Sequence, residues 1–220
     1  MSTEIAKDSN YVIPAGNDEK QRLGDQYVFK KSVAGWTSAV PASVDVSRVS
    51  NVLDMAAGTC AWILDFASMP QVQERLSILG RTPPRGTTSI QLYACDIDVK
   101  FLPGLNVTDP LGIATFQQDV TKPFPKELHG TFDLVHMSHL LLCLTEDGWK
   151  ATLRNALDIL KPGGLLMLEE ADPVLYGGAQ PIPAAAEIHD LEARLKDSSW
   201  VGKANAIYTR TSLENNFIVG

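Results

Sequence analysis

The chain has 220 residues, of which 45% are hydrophobic and 20% charged, as in an ordinary globular domain. Its 26 acidic and 19 basic residues give a formal net charge of −7, so nucleic acid and anionic membrane surfaces are poor partners. No apolar stretch approaches the roughly 20 residues of a membrane-spanning helix, and the N-terminus lacks the pattern of a secretory signal. We therefore expect a cytoplasmic protein whose 3 cysteines are reduced, and the 4 histidines show no metal-ligand spacing.

The first predicted element is a charged helix near the N-terminus. Residues 17–31 place Leu23 and Tyr27 one helical turn apart, and Asn17 is a candidate N-cap. Gly24 in the middle of this segment weakens the pattern, because glycine destabilises helix interiors. We still predict a helix here, since the apolar spacing and the cap agree.

From residue 50 onward, short apolar segments alternate with helical ones. The segments that predict buried strands are residues 50–55, 90–96, 113–119, 131–138 and 165–170. Strands that are apolar nearly throughout belong to parallel sheets covered on both faces. The sequence therefore predicts an α/β fold with a doubly wound, mostly parallel sheet.

Helical segments lie between these strands. One follows the turn that ends at residue 60, and Pro70 opens another. The clearest helix covers residues 145–160 and begins at the cap residue Thr145. The apolar side chains predicted to share one face of this helix are Trp149, Leu153, Leu157 and Leu160.

Acidic residues stand at the ends of the first three strands, where ligands of doubly wound sheets bind. Asp54 precedes a small-residue turn that allows close approach of a ligand, although such a turn can also be purely structural. Asp96 is placed to accept both hydroxyls of a ribose, with a solvated loop carboxylate as the equal alternative. Asp119 beside Val120 suits an adenine ring, while a lone aspartate here is more often a turn residue.

These strand ends occur in an order that resembles a known family. The segments VLDMAAGTC, YACDID, FQQDV, FDLVHMS and LKPGGLLMLEE resemble the ordered motifs of class I S-adenosylmethionine-dependent methyltransferases. The stretch YVIPAGNDEKQRLGDQ, with GTCAW and FDLVHM, is similar to the fungal branch that acts on small secondary metabolites. The resemblance implies a Rossmann-like domain over residues 50–220 that binds S-adenosyl-L-methionine, preceded by an N-terminal helical lid segment over residues 1–49.

The resemblance also implies which residues hold the methionine end of this methyl donor. Ala56 and Gly58, with Asp54 behind them, would bind it through backbone groups. Met137 and Ser138, at the end of the fourth strand, would lie beside the methionine portion or the sulfonium. We expect these residues to meet at one edge of the sheet, since the carboxyl ends of parallel strands share an edge.

A second group of residues is implied for the adenosine end of the donor. Asp96 would bind the ribose, with Ile97 against the adenine. Asp119 and Val120 would hold the edge and the face of the adenine ring. Tyr11 would belong to the lid that closes over the site.

The chain departs from the family pattern in the turn after the first strand. Ala56 and Cys60 occupy positions where the family usually carries glycine. We expect Ala56 to be tolerated if its φ is negative, and Cys60 faces a similar test at the start of the following helix. These substitutions favour retained binding of the donor more than retained catalysis.

The C-terminal part departs from the pattern as well. The family's sheet continues with a helix and two more strands, the last of them antiparallel. Residues 183–195 predict the helix, but the sequence stops roughly where the next strand would begin, so we expect the C-terminal strands to be missing. An uncovered apolar edge at residues 165–170 would favour self-association, unless the chain is a truncated form of a longer one.

Two histidines flank the end of the fourth strand and are candidates for a general base. His136 and His139 would be needed only where the accepting atom begins protonated and weakly acidic. The alternative is that His136 completes the strand and His139 packs nearby. For each histidine this structural interpretation is favoured, because only a minority of such residues are functional.

The side of the site that would bind the methyl acceptor is less well defined. Aromatic candidates for lining it, with simple packing as the alternative, are Trp36, Trp200 and Tyr208. Acidic residues near the end of the fifth strand, which we interpret by default as solvated loop acids, are Glu169, Glu170 and Asp172.

The sequence therefore predicts an enzyme that transfers a methyl group from S-adenosyl-L-methionine to O, N or S of a small, largely apolar metabolite. The expected product of the donor is S-adenosyl-L-homocysteine, and no metal, nucleic acid or membrane is expected to take part. One alternative is a catalytically silent cofactor-binding or partner-binding module with the same fold. A nicotinamide-dependent oxidoreductase ranks last, because the turn lacks the G-x-G-x-x-G pattern.

Overall fold

The computed structural model describes residues 16–76, 86–141 and 143–170, and three short strands at residues 176–177, 180–181 and 217–219. The predictions for Tyr11 and for the helix at residues 183–195 lie outside the described residues. The same holds for three residues proposed near the acceptor, which are Asp172, Trp200 and Tyr208.

A six-stranded sheet forms the centre of the described fold. The strands of the chain are β1 (Asn51–Met55), β2 (Gln91–Asp96), β3 (Ile113–Gln117), β4 (Phe132–Ser138), β5 (Leu160–Glu169), β6 (Tyr176–Gly177), β7 (Gln180–Pro181) and β8 (Phe217–Val219). Their order in the large sheet is β3-β2-β1-β4-β5-β8, and β1 to β5 are all parallel. Strands β6 and β7 pair only with each other. The predicted doubly wound α/β fold is confirmed, and its strand order reverses between β1 and β4.

The two faces of the sheet bury separate apolar clusters, because successive side chains of a strand point to opposite faces. Val52 and Leu134 belong to the cluster that packs beneath Trp62. Leu53 and Val135 belong to the cluster on the opposite face. Both faces of the central strands are therefore covered, as the nearly continuous apolar strands predicted.

Helices cover the sheet. They are α1 (Asn17–Ala34), α2 (Ala61–Ser68), α3 (Pro70–Gln73), α4 (Leu105–Thr108) and α5 (Glu146–Ile159). The predicted helix over residues 17–31 is confirmed, but Gly16 occupies its N-cap position and no side chain caps it. Asn17 is therefore the first helical residue and not the cap. The predicted cap of α5 is confirmed, since Thr145 accepts a hydrogen bond from the Gly148 N–H at 3.1 Å.

The buried face of α5 differs from the predicted one. Trp149, Ala156 and Ile159 are buried, whereas Leu157 is 61% exposed. At about 100° per residue, a position eight residues after Trp149 is rotated by about 80° from it, and one seven residues after by only about 20°. The prediction that Leu157 faces the core is therefore wrong.

The edge of the sheet beyond β5 is not bare. The middle of β5 pairs antiparallel with β8, in the register Leu166 to Val219 and Leu168 to Phe217. Among the described residues, this short strand is the one addition to the sheet beyond β5, where the family pattern has two further strands. The physical reason for self-association through residues 165–170 is correspondingly weaker, since the ladder groups in this register are paired.

Within the described residues, the helices are too short or too polar to cross a membrane. The cysteines agree with the expectation of reduced thiols, since Cys60, Cys95 and Cys143 are all free.

Candidate functional site

The turn after β1 keeps a strained conformation at two residues that are not glycine. Ala56 has a φ of 53° and Cys60 a φ of 61°, close to the 52° of Gly58. This left-handed region costs an ordinary residue about 1–2 kcal/mol. Ala56 was expected to be tolerated in this turn if its φ were negative, but its φ is positive. The turn retains its shape in spite of the substitutions, and Cys60 lies at the N-cap position of α2.

Strain of this kind is concentrated at the candidate site. Among the described residues, the non-glycine positions with positive φ are Ala56, Cys60 and His139, the last at 57°. The first two follow β1 and the third follows β4, so all three lie beyond the carboxyl ends of neighbouring strands. Residues in such conformations are typical of functional sites, where the surrounding structure holds them in place.

Asp96 joins the end of β2 to the turn after β1. Its Oδ2 accepts a hydrogen bond from the Gly58 N–H at 2.8 Å, and its Oδ1 accepts one from the Asp98 N–H at 3.0 Å. The side chain is buried, and burial raises the pKa of this carboxyl in spite of the two backbone donors. Each carboxylate oxygen has a further lone pair, so hydroxyl groups of a ligand can still donate to Asp96. Asp96 is therefore not the solvated loop acid of the alternative interpretation.

The segment after β3 is organised by Asp119. Its Oδ1 accepts hydrogen bonds from the N–H and the hydroxyl of Thr121, at 2.9 and 2.7 Å. This is the local turn that the alternative interpretation anticipated, and the hydrogen bonds involve one of the two carboxylate oxygens. Val120 is buried, and its carbonyl accepts a hydrogen bond from Asn155 of α5 at 2.8 Å. Ile97, after β2, is half-buried.

The ends of β1 and β4 are joined by a buried pair. His136 Nδ1 lies 2.7 Å from Asp54 Oδ1, and the two residues are register partners on adjacent strands. The indole of Trp62 stacks on the imidazole, with ring centroids 3.9 Å apart and planes inclined by 10°. Burial by itself lowers the pKa of His136, but Asp54 and Glu169 raise it by more, so the net pKa is raised.

Glu169, at the end of β5, continues this arrangement toward α1. Its carboxylate forms an ion pair with Lys30 of α1, and its Oε2 lies 3.7 Å from His136 Nε2. Burial opposes ionisation of Glu169, but His136 and Lys30 outweigh it and lower the pKa to about 2. The default interpretation of Glu169 as a solvated loop acid is wrong, because the residue is buried and paired.

The neighbouring carboxylate, Glu170, is not a solvated acid either. Its two oxygens accept hydrogen bonds from the backbone N–H groups of Leu140 and Leu141, at 2.7 and 3.1 Å. Burial raises its pKa to about 7, although these two donors act in the opposite direction. Glu170 therefore fixes the segment that follows β4 onto the end of β5.

Three further candidates lie at the end of β4. Met137 is completely buried in the cluster opposite Trp62, and Ser138 is half-buried. The N–H of His139 donates to the carbonyl of Glu169 at 3.0 Å, which extends the pairing of the two strands. Burial and the nearby Lys30 lower the pKa of His139 to about 4, so its imidazole is neutral at pH 7.

Helix α1 lies over the turn after β1. The side chain of Leu23 is 3.5 Å from the point that a Cβ on Gly58 would occupy. The hydroxyl of Tyr27 donates to Asp65 of α2 at 2.8 Å, and Lys31 pairs with the same carboxylate at 2.6 Å. The predicted helix 17–31 is therefore brought to the site, where it forms a wall above the small-residue turn.

Two contacts of the site were missed by sequence reasoning. Lys30 and Trp62 lie in segments predicted only as helices, yet they contact Glu169 and His136. Lys30 and Glu169 are separated by 139 positions, so no local pattern links them. The alternation along β4 places His136 on the face of Leu134, under α2, and this was the one available signal.

Several buried polar atoms at this edge have no hydrogen-bond partner among the described residues. They are Asp54 Oδ2, His136 Nε2, His139 Nε2 and Glu169 Oε1. Buried polar atoms are normally paired, so this group suits a ligand with polar, charged ends. The described ranges hold no group of three or more His, Cys, Asp or Glu side chains that could bind a metal ion. Of these atoms, Asp54 Oδ2 can accept from an ammonium group, and Asp96 keeps lone pairs for the hydroxyl groups of a ribose.

The chain belongs to a methyltransferase family. A family model described as a methyltransferase domain matches residues 34–217, which include the five parallel strands β1 to β5. The resemblance predicted from the strand-end motifs is thereby confirmed.

Curated fungal proteins are similar to most of this chain. Methyltransferase grgD of a Penicillium species is 24% identical over 191 residues, which cover 87% of this chain and 62% of that protein. N-methyltransferase sirN of Leptosphaeria maculans is 25% identical over 202 residues, covering 91% of this chain and 63% of that protein. The chain thus spans less than two thirds of the length of these two relatives.

The solved structures that resemble this chain do so loosely. The citrinin polyketide synthase CMeT domain superposes with a TM-score of 0.46 at 14% identity, covering 70% of this chain and 39% of that one. The fold class rests instead on the strand order and the direction of the strands.

Proposed function

We propose that this chain binds S-adenosyl-L-methionine at the carboxyl ends of β1 to β4 and transfers its methyl group to a small molecule. The observation that carries the proposal is the hydrogen bond between the Asp96 carboxylate and the Gly58 N–H. This hydrogen bond connects the end of β2, expected to hold the ribose, to the turn after β1, expected to hold the methionine end. The two motifs would therefore form one wall of a single site. Membership of the methyltransferase family supports the same donor.

Each part of the donor has a proposed group of residues. Asp96, with Ile97 beside it, would accept the ribose hydroxyls and contact the adenine. Asp119 would accept the exocyclic amino group through its Oδ2, and Val120 would cover the ring from the core side. These assignments use strand ends that the sheet places side by side.

The methionine end would lie along the turn after β1. Ala56 and Gly58 would present backbone groups to it, and the unpartnered Oδ2 of Asp54 would accept from its ammonium group. Met137 and Ser138 would border the sulfonium from β4. Tyr11 would belong to the lid formed by residues 1–49, of which residues 16–49 are described and include α1.

The bound donor would supply an activated methyl group, so the protein's task is mainly to orient the acceptor and exclude water. The proposed acceptor is O, N or S of a small, largely apolar metabolite. α1 would contribute to water exclusion, because it lies over the turn and is fixed at both Asp65 and Glu169. Orientation of bound reactants can contribute about 7–11 kcal/mol to lowering a barrier.

A proton acceptor is needed only for acceptors that begin protonated. Of the two candidates, His139 is the better placed, because it is neutral at pH 7 and its Nε2 has no partner among the described side chains. His136 has carboxylates on both sides of its ring. His139→Asn is the suitable variant, because asparagine tolerates a positive φ while removing the imidazole. Unchanged turnover in this variant would exclude His139 from the reaction.

Titration calorimetry with S-adenosyl-L-homocysteine tests the donor site directly. We expect wild-type protein to bind it, and Asp96→Asn to weaken binding by about tenfold or more, since a charged acceptor of ribose hydroxyls is lost. Asp98→Asn is the matched control. It makes the same change of charge two positions away, in a side chain that accepts from the Lys100 N–H. Equal effects of the two variants would contradict the assignment of Asp96.

A labelled-methyl assay tests the reaction. The chain is incubated with methyl-labelled donor and a fungal metabolite extract, and labelled products are separated. Label in an apolar small molecule supports the proposal. Binding of the donor with no transfer to any acceptor would instead indicate a catalytically silent module.

A further inference from the structure

Four ionisable side chains form a row across the carboxyl edge of the sheet. Asp54 on β1, His136 on β4, Glu169 on β5 and Lys30 on α1 follow one another, and we call them the buried charge row. Asp54 and Glu169 have side chains only 3% exposed, and His136 only 1%. Ionised groups are seldom buried this deeply without a structural or functional reason.

The imidazole of His136 is held in one orientation. Its Nδ1 is 2.7 Å from Asp54, its Nε2 is 3.7 Å from Glu169, and Trp62 stacks flat on the ring. Rotation of the ring would lose the short contact to Asp54 and the parallel stack together. The imidazole of His136 therefore has little rotational freedom, and it holds the Asp54 carboxylate in one position.

The charges of the row balance when His136 is an imidazolium. Lys30 and a protonated His136 then offset the two carboxylates, whereas a neutral imidazole would leave one buried negative charge unpaired. The net effect of these neighbours on the His136 pKa is upward, which agrees with this balance. Glu169 also forms an ion pair with Lys30, so the row ends at α1 in a pair of opposite charges.

The row determines which oxygen of Asp54 remains available. Oδ1 is occupied by His136, while Oδ2 is buried and has no partner among the described residues. Asp54 is the residue at the end of β1 that is expected to face the amino-acid end of the donor. The direction of Oδ2 is thus set by a residue that need not itself touch the donor.

We propose that His136 is a positioning residue, clamped between Asp54 and Glu169, that aims the Oδ2 of Asp54 at the ammonium group of the methyl donor. Lys30 supports this arrangement from α1 by holding Glu169. The inference rests on the proposed function, because it assumes that the donor's amino-acid end lies beside Asp54. It assigns His136 to binding of the donor and not to proton transfer.

Two ligands separate this role from a general structural one. S-adenosyl-L-homocysteine carries the amino-acid end, whereas 5′-methylthioadenosine has the same adenosine and thioether without it. Affinity for both is measured by calorimetry on the full chain. His136→Gln is compared with His129→Gln, a matched change in a histidine whose ring lies near the Phe124 carbonyl, before β4 begins.

We expect His136→Gln to weaken binding of S-adenosyl-L-homocysteine by about tenfold or more, because a charge-assisted contact of the ammonium is misplaced. Binding of 5′-methylthioadenosine should change by less than about twofold, and His129→Gln should affect neither ligand. A parallel loss for both ligands, or no loss for either, would overturn the proposal. If wild-type protein binds neither ligand, the donor site itself is refuted and this inference with it.

A second variant keeps the test decisive if His136→Gln does not fold by circular dichroism. Lys30→Met loosens Glu169 from the α1 side while leaving β1 and β4 unchanged. The same selective loss for S-adenosyl-L-homocysteine, restored in Lys30→Arg, would support the proposal. Equal weakening of both ligands by Lys30→Met would overturn it.

Discussion

Replacing Glu169 with glutamine should destabilise the folded chain at neutral pH by about 2–3 kcal/mol. The carboxylate is buried and pairs with Lys30 and His136. Its pKa of about 2, instead of the ordinary 4.5, corresponds to about 3 kcal/mol of stabilisation when the group is fully ionised. Glutamine keeps the shape and one acceptor oxygen, so the expected loss is somewhat smaller than this value.

The sign of the pH dependence follows from the direction of the shift. The folded-state pKa of Glu169 lies below the unfolded-state value, so its contribution is complete above about pH 4.5 and is lost as the pH falls toward 2. The difference in unfolding free energy between wild type and Glu169→Gln should therefore narrow in acid. By pH 3.5 it should have fallen by about 1 kcal/mol.

Urea unfolding followed by tryptophan fluorescence, at pH 7 and pH 3.5, measures both quantities. Glu146→Gln is the control, because its pair with Lys150 on α5 is about half exposed on both side chains and should contribute little to stability. A Glu169→Gln variant as stable as wild type at pH 7 would show that the buried Glu169 charge does not stabilise the fold, and would refute this prediction. A difference of the same size at both pH values would refute it equally.

Three further changes have defined outcomes. Ala56→Gly should raise the melting temperature slightly or leave it unchanged, because glycine relieves the positive φ, and a lower melting temperature would show that the turn is unstrained. Trp149→Ala should cost about 3–5 kcal/mol in chemical denaturation, while Leu157→Ala stays within about 0.5 kcal/mol; similar losses would contradict the buried face assigned to α5. Tyr27→Phe removes the hydrogen bond to Asp65 and should speed proteolytic cleavage within α1, with little change in the global unfolding midpoint. Unchanged cleavage would show that this contact does not hold the helix.

The strands of the parallel sheet could be predicted because their signal is local. The largely apolar segment 131–138, which ends at Ser138, is sufficient to place β4 and its end. The buried face of α5 was harder to predict from the sequence. Leu153 and Leu157 suggest an apolar stripe, but these positions rotate progressively away from Trp149 along the helix. The strand β8 carried no recognised signal, since its three residues pair with β5 from about 50 positions away.

The candidate site also has residues that the sequence could predict and contacts that it could not. Asp54, Asp96 and Asp119 could be proposed from the sequence because parallel strands bring their carboxyl ends to one edge, whatever the intervening sequence. The partners of these residues are set by packing, which a single sequence does not display. Lys30 reaches Glu169 only because α1 lies across the sheet edge.

Helix α1 touches the sheet edge and α2 through side chains that project from one side of a single helix. Leu23, Tyr27, Lys30 and Lys31 make these contacts. The strands that carry the acidic residues are held together independently of them, by the ladders of the sheet. Chimeras that exchange this one segment between relatives should therefore change the surface above the small-residue turn while leaving the sheet and its acidic strand ends intact.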